Sequence, residues 1–244
     1  MSLLIVKLGG GLIAPKDREM ATAEPGVVKR LCTEIKMGLG GRRLLMASGS
    51  GNFGHAAVKK YGINTPLGVA RVQRVAQKIG EIVTGSLLDM EIPAVLFSPH
   101  DLWENGDVGG VSDALRAGQV PVLYGDVVWE GGRAVIYSGE TCFGKLVPGL
   151  VGVEKIIQVS CEDGVWDENK EIIPEINAGN WEKIKRVVGR STGVDYTGGM
   201  LHKVEESLDL ASKFGIKTWI ISGKVEGRLK DVLEGKEVLG TVVG

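Results

Sequence analysis

The sequence predicts an α/β protein, a three-layer αβα sandwich around a largely parallel central sheet. Three observations carry the prediction. Short apolar runs recur at 3–8, 43–47, 93–97, 120–124, 134–137, 155–160, 217–222 and 237–243. They are rich in Val, Ile and Leu, the composition of strands covered on both faces. Helical spacings lie between several of them, and strand–helix alternation of this kind builds parallel sheets. Polar, glycine-bearing segments leave the ends of the runs, where α/β proteins gather ligands.

Taken in order, Leu3-Leu4-Ile5-Val6-Lys7-Leu8 reads as a short buried strand, and Gly9-Gly10-Gly11 follows it. A lysine inside an apolar run is costly to bury unless paired. Lys7 is therefore either a phosphate ligand or a surface lysine on an edge strand, and this segment alone does not separate the two. Val28, Leu31, Ile35 and Leu39 fall three or four apart and predict a helix. After the run at 43–47 comes Ser48-Gly49-Ser50-Gly51-Asn52-Phe53-Gly54-His55, read as a glycine-rich loop. Its backbone N–H groups can converge on an anion, and its histidine adds a directed donor. A long helical pattern over about 66–90 carries Val69, Val72, Val75, Ile79 and Ile82. In the last third, Thr197-Gly198-Gly199-Met200 opens a helix with Leu201, Val204, Leu208 and Ala211 on one face and Gly215 as its stop. Lys203 in the first turn is unfavourable for the helix itself; it either faces an anion bound there or is a solvated lysine. Six segments would share one rim: Gly9–Gly11, Ser48–His55, Gly125-Asp126, Ser138-Gly139-Glu140, Glu162-Asp163-Gly164 and Ser222-Gly223-Lys224. Asp126 is either a turn residue or an orienting acid. His100 and His202 read as structural, with His202 off the face that carries Lys203. Trp219 reads as core.

Bulk properties limit the function. The 244 residues suit one large α/β domain or two small ones; a single domain is expected, with a hinge near 145–155. Charge is balanced, 29 basic against 30 acidic residues, with no basic run, so no nucleic-acid partner is expected. No apolar run reaches membrane-spanning length. Three scattered cysteines suggest neither zinc nor disulfides and fit a cytoplasmic protein. The 37 glycines lack a period, so they mark ligand segments rather than low complexity.

Two lysines on separate segments, Lys7 and Lys203, together with glycine N–H groups, can neutralise a phosphoryl group in transfer. Walker and protein-kinase signatures are absent. Lys7-Leu8-Gly9-Gly10, the glycines at 49–54, Pro121 to Val127, Ser138-Gly139-Glu140, Asp163-Gly164-Val165 and Thr197 to Met200 with Lys203 resemble, in order and spacing along essentially the whole chain, the amino acid kinase superfamily. Phe53-Gly54-His55 and Lys60-Tyr61-Gly62-Ile63 are similar to its isopentenyl phosphate kinase family.

The resemblance implies ATP-dependent phosphorylation of isopentenyl phosphate to the diphosphate, in an alternative mevalonate pathway. Mg2+ would be held by ATP oxygens and water rather than by protein ligands. Lys7 and Lys203 would stabilise the transferring group. Lys16, Gly9 and Gly10 would face the ATP phosphates, and Asp163, Gly164, Gly199 and Gly223 would border the nucleotide. Gly51, Gly54 and His55 would hold the acceptor phosphate, with Gly139 nearby. Residues to about 150 would form the acceptor lobe and 151–244 the nucleotide lobe of a homodimeric protein. The helix over 66–90 would help wall the isoprenoid tail.

Departures mark a divergent member. Ser48-Gly49-Ser50-Gly51-Asn52 stands where the family has His-Gly-Gly-Gly-Ser, Gly11 where it has Ser, Glu140 where it has Asp, and Ser160-Cys161-Glu162 where it has Thr-Asp-Val. Two other readings stay open: a kinase for another small acceptor, such as a phosphonate like fosfomycin or another monophosphate, and a nucleotide- or oxyanion-binding protein without turnover.

Overall fold

The computed structural model describes residues 1–104, 108–188 and 199–244. The first half contains β1 (Leu3–Leu8), α1 (Gly10–Ile13), α2 (Pro25–Gly38), β2 (Arg43–Ser48), α3 (Gly51–Tyr61), α4 (Pro66–Asp89), β3 (Ala94–Leu96), α5 (Pro99–Glu104), α6 (Gly109–Arg116), β4 (Val120–Tyr124), β5 (Asp126–Glu130) and β6 (Arg133–Tyr137). The second contains α7 (Gly139–Leu146), β7 (Val153–Ser160), β8 (Glu175–Ile176), α8 (Trp181–Val188), α9 (Gly199–Phe214), β9 (Thr218–Ser222), α10 (Arg228–Leu233) and β10 (Gly240–Val243). Seven of the eight apolar runs enter one sheet of order β3-β4-β2-β1-β7-β9-β10-β8. Its pairs are parallel except β9 with β10.

β1 is central, pairing with β2 on one side and β7 on the other. Its alternate residues face opposite layers. Leu4, Val6 and Leu8 join the core under α2 and α4, which supply Val28, Leu31, Ile35, Ile79 and Val83. Leu3 and Ile5 join the opposite core, with Val111 and Leu115 of α6 and Phe143 and Leu146 of α7. A third cluster packs Trp181 and Val204 onto Ile220 and Val243. Both faces of the sheet are thus covered, and the three-layer expectation holds.

The run at 134–137 departs from expectation. It forms an antiparallel hairpin, β5 with β6, outside the main sheet. Gly131 and Gly132 both have positive φ, 56° and 79°, which fits the tight turn that closes two-residue hairpins. Strong local pairing takes the run away from the sheet. The glycine-rich segment at 48–55 is also not a loop: Ser48 ends β2 and Gly51 begins α3. The glycines are there for close backbone contact. A Cβ on Gly10 would lie 2.4 Å from the Gly51 nitrogen, and one on Gly49 would lie 2.4 Å from the Gly10 nitrogen. The two N-terminal glycine segments therefore touch backbone to backbone. Trp219 is partly buried against the main core, with the Lys155 ammonium over its ring.

Candidate active site

Lys7 follows Leu3 and Ile5 on the face of β1 that looks at α7, so its side chain rises beneath the start of that helix. Ser138 caps α7 by accepting the Thr141 N–H at 3.1 Å. The next two residues complete the fit. A Cβ on Gly139 would lie 2.9 Å from Lys7 Cε, so only glycine leaves room for the lysine stem. Glu140 receives the ammonium in an ion pair whose side chains are 8% and 4% exposed. Lys7 is thus a buried charge on a central strand, and the edge-strand alternative falls.

Burial alone would raise the Glu140 carboxyl, but Lys7 and then Lys203 outweigh it and hold it at about 2. Burial lowers the Lys7 ammonium from its ordinary value, and Glu140 opposes the shift. Lys203 acts on both groups, which brings the amino end of α9 to the same point. One carboxylate oxygen, Oε1, is buried and has no hydrogen-bond partner among the described residues.

These groups open onto a cavity of about 490 Å³. Of the residues expected at the site, Lys7, Gly9, Gly10, Lys16, Gly51, Gly54, His55, Gly139, Gly199 and Lys203 line it. Asp163, Gly164 and Gly223 lie outside the lining. Asp163 pairs with Arg228, Gly164 packs by Thr241, and Gly223 packs by Leu12 and Val159 while its carbonyl accepts from Arg30. Residues 195–198 of the glycine motif are outside the described residues.

His55 lies in the second turn of α3, where Nδ1–H donates to the Gly51 carbonyl at 3.0 Å. That bond fixes the ring. It also means that a phosphate at Nε2 receives a hydrogen bond only when the ring carries its second proton. Beyond His55 the wall turns apolar: Val58 of α3, Val72 and Ala76 of α4, and Val127 and Ile136 of the hairpin. Val72 of the long helix thus serves both core and cavity.

Other polar side chains hold the segments around the cavity. The Asn52 side chain accepts the Thr22 N–H at 3.0 Å and donates to the Pro15 and Thr22 carbonyls at 2.8 and 2.7 Å. It pins the segment that carries Lys16 and Asp17 over the cavity. Asp126 begins β5 and is buried. Its carboxylate accepts the N–H groups of Val127 (2.8 Å) and His100 (3.3 Å) and contacts His100 Nδ1 at 2.5 Å. Burial raises its carboxyl, and His100 opposes this. His202 does not line the cavity; its Nε2 lies 3.3 Å from Ser138 Oγ, at the cap of α7.

The model for the amino acid kinase family matches residues 2–222. The isopentenyl phosphate kinase of Methanothermobacter thermautotrophicus is 30% identical, over 98% of both chains. The chain belongs to the amino acid kinase family, in its isopentenyl phosphate kinase branch. The enzyme of the same name from Methanocaldococcus jannaschii is 29% identical over 99% of this chain and 98% of its own. An X-ray structure of isopentenyl phosphate kinase superposes with a TM-score of 0.81 at 26% identity, covering 99% of this chain and all of the other. As an amino acid kinase family member the chain is a phosphotransferase, and its central sheet with helices on both faces is the family fold.

Proposed function

We propose that this kinase transfers the γ-phosphoryl group of ATP to isopentenyl phosphate. The observation that carries the reading is one cavity with a cationic, glycine-lined half and an apolar half, joined at His55. Lys7 and Lys203 face the negative end. Held charges of this kind stabilise charge that develops during transfer without reorganising. Glu140, in the first turn of the helix above, keeps the Lys7 ammonium in place through their ion pair. His55 holds the acceptor phosphate. Val58, Val72, Ala76, Val127 and Ile136 give its hydrocarbon tail an apolar wall, which a carboxylate or nucleotide acceptor does not need.

Mg2+, when bound, would neutralise charge on the phosphates. The family resemblance implies an ion held by ATP oxygens and water. Lys16, Gly9 and Gly10 face the ATP phosphates, and Gly199 borders the nucleotide. Asp163, Gly164 and Gly223 act one layer back, by holding the segments beneath it. The division into an acceptor lobe to about residue 150 and a nucleotide lobe at 151–244, the homodimer, the cytoplasmic setting and the alternative mevalonate pathway belong to the same reading and rest on the family resemblance. Among the described residues no helix is long and apolar enough to cross a membrane.

The test is ADP release with isopentenyl phosphate, dimethylallyl phosphate, fosfomycin, glutamate and UMP as acceptors. Isopentenyl phosphate is expected to give the highest kcat/KM. Turnover of fosfomycin alone would reassign the acceptor, and no turnover with any of the five would leave a binding protein.

A further inference from the structure

We infer that His202 is a positioning residue for phosphoryl transfer: it ties the helix that carries Lys203 to the cap of the helix that carries Glu140. This deepens the kinase reading and rests on it. Residues 140 and 203 are remote in sequence and meet only because α7 and α9 pack together. The spacing between the Lys7–Glu140 pair and Lys203 therefore depends on how that seam is held.

The seam has a polar fastening. His202 Nε2 lies 3.3 Å from Ser138 Oγ on α7 and 3.7 Å from Glu206 Oε1, one turn along α9. Ser138 Oγ accepts the Thr141 N–H at 3.1 Å, lies 3.0 Å from Thr141 Oγ1 and shares a hydrogen bond with His202 Nε2, so the cap of α7 and the start of α9 meet in one polar cluster. Gly144 of α7 lies against the same cluster, where a Cβ would come 3.2 Å from Glu206 Oε2. Consecutive residues on a helix point about 100° apart. One step along α9, Lys203 faces the cavity while His202 faces the seam. His202 does not line the cavity and acts only through Ser138.

The test compares wild type with His202→Ala and His202→Gln in steady-state kinetics with ATP and isopentenyl phosphate, and in hydrogen exchange over residues 199–206. Small misplacement of a catalytic group costs up to about 100-fold in rate. His202→Ala is expected to lose about 10- to 100-fold in kcat with both KM values within about twofold. Faster exchange at the start of α9 should accompany the loss. The amide nitrogen of His202→Gln can donate to the same Ser138 oxygen, so it should restore most of the rate and the protection. Wild-type kcat in His202→Ala overturns the proposal, as does a loss that His202→Gln does not recover or that comes with equal rises in both KM values. A wild-type protein that does not turn over isopentenyl phosphate refutes the kinase reading instead. Hydrogen exchange then decides the seam alone: equal exchange in wild type and His202→Ala overturns it.

Discussion

Lys7 and Glu140 form an ion pair inside the protein, one on the central strand and the other in the first turn of the helix above it. The pair couples stability to catalysis, because the same ammonium that fills the interior also lines the cavity. Lys7 and Lys203, both proposed to act in phosphoryl transfer, should therefore respond differently to removal. Lys7→Met leaves a buried carboxylate without its counter-charge, which costs about 3–5 kcal/mol. Lys203, half-buried on α9, should be separable from the fold. Lys203→Ala is expected to keep its melting temperature while kcat falls about 100-fold or more. Thermal unfolding beside steady-state rates checks both. Equal destabilisation by the two substitutions would contradict the assignment.

Acid should weaken the fold through Glu140. Its carboxyl sits at about 2 in the protein against an ordinary 4.5. A group lowered in the folded state contributes stability above its ordinary value and loses it as pH falls toward the folded one. The window is thus from about 4.5 down to about 2. Denaturant unfolding across that range should show a steep loss in wild type. Glu140→Gln should be less stable at pH 7, because Lys7 stays buried without a counter-charge, and should show a flatter acid slope. Matching slopes would remove Glu140 from the acid response.

His55→Ala is expected to raise the KM for isopentenyl phosphate about 10- to 100-fold, equivalent to about 1.4–2.7 kcal/mol of binding. The KM for ATP should change little, since the ring lies on the side of the apolar wall. An unchanged acceptor KM would take His55 out of phosphate binding.

Asn52→Ala removes three hydrogen bonds that hold the segment bearing Lys16. At about 1 kcal/mol for each bond, the protein should lose about 2–3 kcal/mol. The KM for ATP should rise more than that for the acceptor. A variant with wild-type stability would show that the segment is held by other contacts.

Much of this was legible in the chain. Seven of the eight apolar runs entered the main sheet, because Val- and Ile-rich runs covered on both faces have few alternatives. The eighth, at 134–137, was diverted by Gly131-Gly132, which closes a hairpin more readily than the chain can cross back to the sheet. The 48–55 segment concealed a helix start because its glycines erase the periodicity on which a helical reading depends. Lys7 was ambiguous for a different reason: a strand does not announce whether it is central, and its register with β2 and β7 settles that. Asn52 was read only as part of the glycine-rich segment, and His202 only as structural. Their partners, Thr22 and Ser138, are 30 and 64 residues away, and no local pattern encodes such a contact.

The central position of β1 has a consequence for synthesis. Its second neighbour, β7, ends at Ser160, so β1 waits on that side for a strand from the far half of the sequence. Until then Leu3–Leu8 has one open edge and Lys7 has no completed setting. Shorter nascent chains cannot turn over substrate, and the exposed edge is a natural point for chaperone capture or for pairing between neighbouring chains.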